Sequence, residues 1–187
     1  MPAKRAVDLT VGLFLLLLLS PVLIAAGAAV ALTSPGPVLH RETRIGLCGR
    51  TFARFTFRTA RAGPGPVRQP TPVGRLLHRC LLDGLPQLLN VVRGEMSLVG
   101  PAPLPPRRHG RPVGADRARL GVRPGVTGLW QISGRSELPW EEMSVLDLHY
   151  VDQHWLGLDL VILARTVPAA VAGRRPHGAG RRSAKAA

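Results

Sequence analysis

Leu9-Thr10-Val11-Gly12-Leu13-Phe14-Leu15-Leu16-Leu17-Leu18-Leu19-Ser20-Pro21-Val22-Leu23-Ile24-Ala25-Ala26-Gly27-Ala28-Ala29-Val30-Ala31-Leu32 carries no charged residue. At about 1.5 Å per residue, an unbroken helix of this length reaches about 36 Å, enough for a hydrocarbon core of about 30 Å. Ser20-Pro21 falls in its middle. Proline removes a backbone donor and crowds the preceding turn, so a kink is expected near Ser20, between two half-helices of about a dozen residues each. Such a segment either spans with a bend or re-enters, leaving by the leaflet it came through. Lys4 and Arg5 before it favour a cytoplasmic N-terminus. A re-entrant path keeps the basic remainder on that same face, whereas a straight span puts it outside. A secretory signal peptide is the rival, with Ala29-Val30-Ala31 as a cleavage-like tripeptide. The run is long for one, Asp8 intrudes just before it, and nothing that follows has secreted character, so a permanent anchor is expected.

The chain has 187 residues, with 25 Lys and Arg against 11 Asp and Glu, a formal charge of +14. Its mean hydropathy is nevertheless positive. A disordered basic chain is poor in apolar residues and a basic nucleic-acid domain is rarely 45% hydrophobic, so neither class covers the whole chain. The two properties are separated along it. Apolar residues concentrate in the anchor, and between Arg44 and Arg135 the only acids are Asp83, Glu95 and Asp116. Cys48 and Cys80 have no metal-type spacing and read as reduced thiols.

Beyond the anchor, Ser34-Pro35-Gly36-Pro37 stops the helix. Val38 to Arg58 alternates basic and apolar residues around Gly46 and Gly49 and reads as a hairpin or extended unit. Arg61 to Pro72 and Pro101 to Gly114 are Pro/Gly-broken loops, the second carrying Arg107, Arg108 and Arg111. Leu85, Leu88, Leu89 and Val92 follow helical spacing, with Gly94 suited to the position past the C-terminus. Trp155 to Val167 is an apolar periodic segment of the membrane-interface kind. Glu141, Glu142 and Asp147 read as a solvated helical face, and the residues from Gly173 onward as a basic tail attracted to anionic lipid.

The acid that stands out is Asp83, flanked in sequence by Arg75, His78, Arg79 and Arg93, with Arg58 further upstream. A carboxylate so placed can attack phosphorus when neighbouring cations or Mg²⁺ absorb the developing charge. It also stands where an Asp caps the helix that starts near Leu85, with Pro86 in the first turn. The residues themselves leave both roles open. Glu95 after Gly94 reads as a solvated turn residue.

Taken in order, the segments resemble the bacterial sugar transferases, small monotopic phosphoglycosyl transferases. The resemblance rests on Lys4-Arg5 and Asp8, Ser20-Pro21, Ser34-Pro35-Gly36-Pro37-Val38, Arg44-Ile45-Gly46, Phe57-Arg58 and the run from Leu82 to Pro101. It continues through Arg123-Pro124-Gly125-Val126-Thr127-Gly128-Leu129-Trp130-Gln131-Ile132-Ser133-Gly134-Arg135 and through Asp147, Tyr150 and Val151, covering about Lys4 to Val167.

The resemblance implies a mostly helical α+β, monotopic membrane protein. Its parts are a re-entrant anchor broken at Ser20 and Pro21 (1–33), a small cytoplasmic catalytic-type domain with interfacial helices (34–168) and a basic disordered tail (169–187). It implies transfer of a sugar-1-phosphate from a UDP-sugar to polyprenyl (undecaprenyl) phosphate at the cytoplasmic face of the inner membrane. That reaction initiates surface polysaccharide or glycoconjugate synthesis, such as exopolysaccharide, and downstream glycosyltransferases are the natural partners. Asp83 takes the nucleophile position of the family's Asp-Glu pair, and Arg58, Arg79, Arg123, Gln131 and Arg135 take phosphate- or substrate-binding roles. Mg²⁺ is the implied cofactor, but its Glu ligand position is Gly84. Four further departures are Ala102, Thr56, His78 and Leu81, where the family carries Arg, a basic residue, Arg and Ser. Most of these changes remove stabilisation of negative charge. They motivate an alternative: a catalytically impaired membrane scaffold that binds lipid carrier, nucleotide sugar or a partner enzyme. Nucleic-acid binding is not expected, because no aromatic–basic interleaving accompanies the charge.

Overall fold

A computed structural model describes residues 2–61, 69–106, 115–133 and 140–172. In chain order the elements are α1 (Pro2–Leu18), α2 (Ser20–Thr33), β1 (Leu39–Ile45), β2 (Thr51–Phe57), α3 (Pro72–Arg79), α4 (Gln87–Arg93), β3 (Ser97–Val99), α5 (Ala115–Arg119), β4 (Gly125–Thr127), α6 (Leu129–Ile132), α7 (Trp140–Gln153) and α8 (Leu156–Ala172). The protein is mixed helix and sheet and mostly helical, as the sequence leads one to expect. Strands β1 and β2 form an antiparallel hairpin, and the short β3 and β4 pair in parallel.

The proline break is real. α1 and α2 meet at Leu19 with a bend of 59°. Pro21 sits in the first turn of α2, where its missing N–H costs nothing, and Ser20 Oγ donates to Leu17 O at 2.7 Å. No single described helix is long and apolar enough to cross a membrane, and among the described residues this bent pair has that length and apolar character together. Leu13, Phe14, Leu17, Leu18, Ile24 and Leu32 along it are exposed.

Both ends of the pair are seated on the same body. At the start of α1, Arg5 donates to Val91 O at 2.7 Å and Val92 O at 3.2 Å, carbonyls in the last turn of α4. Lys4 reaches Asp159 Oδ2 at 2.5 Å, the Tyr150 hydroxyl at 3.1 Å and Val99 O at 3.2 Å. Asp8, 4% exposed, accepts from Ser97 Oγ and the Leu98 N–H, each at 3.0 Å. Toward the other end, Ala26 and Val30 of α2 pack with Phe57 and Leu77. Lys4, Arg5 and Asp8, which the sequence presents as flanking signals for an apolar segment, are therefore the key that fits α1 into the core.

That core is Leu88, Val91, Met96, Leu98, Val99, Tyr150 and Ile162, against which Val11, Leu15 and Leu16 of α1 pack. Burying each large aliphatic side chain here contributes about 1.5–3 kcal/mol. Val91 and Ile162 are reached from opposite ends of the chain, so the core ties α1, α4, β3, α7 and α8 together. The approach of β4 to the chain after β3 leaves no room for a side chain at Gly125, where a Cβ would lie 2.1 Å from Gly100 N. Helix α8 runs past 168 to Ala172. The tail beyond it lies outside the described residues, as do Arg107, Arg108 and Arg111.

Candidate active site

Asp83 lies in a single 3-10 turn, Leu82–Gly84, between α3 and α4. Thr71 caps α3, its side chain accepting from the Gly74 N–H at 2.9 Å, with Pro72 in the first turn. This helix was not among the expected elements, although Thr71-Pro72 is a legible start signal. Leu81 then adopts φ +58°, a left-handed conformation that costs a branched residue about 1–2 kcal/mol, and reverses the chain. The reversal brings Asp83 back beside the end of α3, where His78 Nδ1 lies 2.9 Å from Asp83 Oδ2. The capping role is not what the structure shows: α4 begins after Pro86 and has no side-chain cap. As expected, α4 does end at Gly94, with φ +85°.

The hairpin supplies the neighbouring charges. Asn90 on α4 is fully buried and docks the edge of β2, accepting from the Phe55 N–H at 3.1 Å and donating to Ala53 O at 2.7 Å. An edge strand otherwise leaves these groups unpaired. This docking brings β2 against the Leu82–Gly84 turn. Opposite Arg54 in the ladder stands Glu42, which accepts from Arg54 at 2.7 Å and from Arg44 at 2.5 Å. Burial pushes the Glu42 carboxyl up, but Arg44 and Arg54 outweigh it and hold the group below its ordinary value. Burial and the neighbouring Arg44 lower the Arg54 guanidinium, while Glu42 and Asp83 oppose that shift. Arg54 is thus a cation within the field of Asp83 that the motifs did not single out.

The other expected phosphate contacts are spread apart. Arg58 is 9% exposed and clamps the linker after α2, donating to Pro35 O at 2.8 Å and to Ser34 O at 2.6 Å. Arg123 donates to Gly94 O at 3.0 Å, at the C-terminal end of α4, whereas Asp83 precedes the N-terminal end. Gln131 donates to Val126 O at 3.3 Å, and Arg79 is exposed at the end of α3. Arg135 lies outside the described residues. Trp155 is exposed ahead of α8, and Cys48 and Cys80 are free thiols.

Two acids occupy unexpected places. Asp147 is wholly buried instead of solvated: its Oδ2 accepts from Arg119 at 2.5 Å and from the Ala102 N–H at 3.0 Å. Glu95 is held by the Asn90 amide at 2.6 Å. That bond turns its carboxylate back toward the middle of α4, beside the edge of β2. Among the described residues no group of three or more His, Cys, Asp or Glu is placed to hold a metal ion. Gly84 supplies no carboxylate, so Asp83 is the residue at this turn that could offer an oxygen to Mg²⁺, with substrate phosphates and water completing its shell.

Asp83 Oδ1 accepts no hydrogen bond among the described residues, and the side chain is partly exposed. A carboxylate with one oxygen held by a hydrogen bond can serve as a nucleophile. The chain belongs to the bacterial sugar transferase family, whose model matches residues 1–173. It is 40% identical over 172 residues to the uncharacterized sugar transferase EpsL of Bacillus subtilis, covering 88% of this chain and 85% of that protein. It is 35% identical over 196 residues to the exopolysaccharide production protein ExoY of Sinorhizobium fredii, covering 92% and 87%. A UDP-glucose:undecaprenyl-phosphate glucose-1-phosphate transferase of Caulobacter vibrioides is 38% identical over 183 residues, covering 88% and 68%.

Proposed function

We propose that this protein transfers a sugar-1-phosphate from a UDP-sugar to undecaprenyl phosphate at the cytoplasmic membrane face, starting exopolysaccharide assembly, with Asp83 as the covalent nucleophile. Relatives named as UDP-glucose:undecaprenyl-phosphate glucose-1-phosphate transferases support the substrate pair. The observation that carries the role of Asp83 is its geometry: Oδ2 is held by His78 at 2.9 Å, and Oδ1 accepts no hydrogen bond among the described residues. Oδ1 attacks the sugar-bearing phosphorus, the bond to UMP breaks, and UMP leaves with the electron pair. A lipid phosphate oxygen then attacks the same phosphorus and returns the carboxylate. Arg54 offsets charge building on the phosphoryl oxygens. No step is assigned to magnesium.

The same reading makes the bent helix pair a re-entrant anchor. Packing of its first turn and its last turns on one body supports both ends lying on one side of the membrane, and the exposed Phe14, Leu17, Leu18 and Ile24 on either side of the bend are the lipid-facing surface. The remainder then lies on the cytoplasmic face, and downstream glycosyltransferases take over the lipid-linked sugar.

A second reading is favoured by Gly84, which stands where the resemblance calls for a Glu: a silent scaffold that binds carrier, nucleotide sugar or partner. UMP release from a panel of UDP-sugars, with undecaprenyl phosphate and Mg²⁺, separates the two. The transferase reading expects release that Asp83→Asn abolishes. Release no greater than that of Asp83→Asn leaves the scaffold. Gly84→Glu is a further probe, because a Cβ at that position meets the flexible end of the Gln87 side chain, at 2.9 Å, rather than backbone.

A further inference from the structure

The contact between His78 and Asp83 lies on the surface: the two side chains are 55% and 19% exposed. An exposed pair of this kind adds little to stability, so it does not explain why the chain folds as it does. It is nonetheless built with care by the backbone. α3 brings His78 to its last turn, Leu81 takes the costly left-handed conformation, and the tight turn from Leu82 returns Asp83 to the imidazole five residues later. Strained backbone at a reactive carboxylate is where a positioning device is expected.

A carboxylate only accepts, so Nδ1 carries the hydrogen and donates it to Oδ2. That bond fixes the rotation of the carboxyl group and leaves Oδ1 as the oxygen that points away. We propose that His78 is a positioning residue for Asp83: it selects Oδ1 as the attacking atom and holds it in line with the sugar-bearing phosphorus. The inference rests on the nucleophilic role of Asp83 stated above. In the first half-reaction Oδ1 forms the bond to phosphorus and the bond to UMP breaks, the leaving phosphate taking its electron pair. The Nδ1 hydrogen stays between His78 and Oδ2 throughout. In the second half-reaction the phosphorus passes to the lipid phosphate oxygen and Oδ1 regains its pair, with no net proton transfer. Because Gly84 offers no second carboxylate, His78 is the side chain seen holding Asp83 among the described residues.

The test compares His78→Ala, His78→Asn and the unaltered protein by UMP release, with melting temperature measured on the same samples. The Asn amide places an N–H close to where Nδ1 stood. His78→Ala is expected to lose about 100-fold in kcat, the scale set by misplacing a reacting group, while KM for the UDP-sugar stays within about threefold. Melting temperature is expected to stay unchanged, and His78→Asn to recover to within about tenfold of the parent. A kcat for His78→Ala within about threefold of the parent overturns the inference. So does a loss confined to KM, or a fall in melting temperature that accounts for the lost activity. A parent protein without UMP release defeats the transferase reading and this inference with it, whereas turnover that survives in His78→Ala defeats the inference alone.

Discussion

Arg119 holds together α5, α7 and the segment after β3, and replacing it by Met isolates what that costs. Its side chain is 1% exposed, as is that of Asp147, and it donates to Asp147 Oδ2 at 2.5 Å and to Ala102 O at 3.2 Å. It also lies 3.6 Å from Asp116. In Arg119→Met the Oδ2 atom of Asp147 keeps only the Ala102 N–H, at 3.0 Å. Breaking a buried pair from one side costs about 3–5 kcal/mol, because a buried charge loses its partner. For a chain of this size that lowers the melting temperature by roughly 6–20 °C.

The pH dependence follows from Asp147. Burial pushes its carboxyl up to about 6, against the opposing pull of Arg119 and the Ala102 N–H. The folded value lies above the unfolded value of 3.8, so the folded protein binds the proton more tightly. The stability from this group is therefore full below about 4 and is lost as pH rises through about 6, a swing of about 3 kcal/mol. Removing Arg119 takes away the pull that favours the charged form, so the swing grows and moves upward. Thermal unfolding of detergent-solubilised Arg119→Met, followed by circular dichroism, is expected to show the full deficit at pH 8. At pH 5 less than half of it should remain. A deficit under about 1 kcal/mol at pH 8, or one of equal size at both pH values, refutes the reasoning.

Other outcomes are equally specific. Asp8→Ala removes a buried acceptor of two hydrogen bonds and is expected to lower stability by about 2–3 kcal/mol, measured by chemical unfolding. Tyr150→Phe deletes the hydroxyl that donates to Asp159 at 2.6 Å while leaving the ring packed, for a loss of about 1–2 kcal/mol in the same assay. Gly125→Ala drives a methyl to 2.1 Å from Gly100 N, so β3 and β4 separate; a loss of about 3 kcal/mol or failure to accumulate folded protein is expected on size exclusion.

The elements that local rules govern were legible. Proline chemistry placed the break at Ser20-Pro21, alternation marked the β1–β2 hairpin, and Gly94 marked the end of α4. Asp147 was not, because a charge is buried only when something distant neutralises it, and Arg119 stands 28 residues earlier. Its spacing of three from both Ser144 and Tyr150 did place it on their buried face. The structural contacts of the basic residues were not legible either: Arg58 donates to backbone carbonyls of the linker after α2, and Arg123 Nε donates to the Gly94 carbonyl at the end of α4. Arg54 and His78 reach the neighbourhood of Asp83 through the Asn90 docking and the Leu81 reversal, neither of which sequence spacing reveals.

Covalent trapping tests the role of Asp83 most directly. The protein is incubated with a UDP-sugar labelled in the sugar-bearing phosphate, without lipid acceptor, and then quenched and mapped by peptide mass spectrometry. Label and the mass of one phosphosugar on the peptide containing Asp83, absent from Asp83→Asn and discharged on adding undecaprenyl phosphate, are the expected result. Turnover of the same substrate with no label on Asp83, or label that persists in Asp83→Asn, contradicts it.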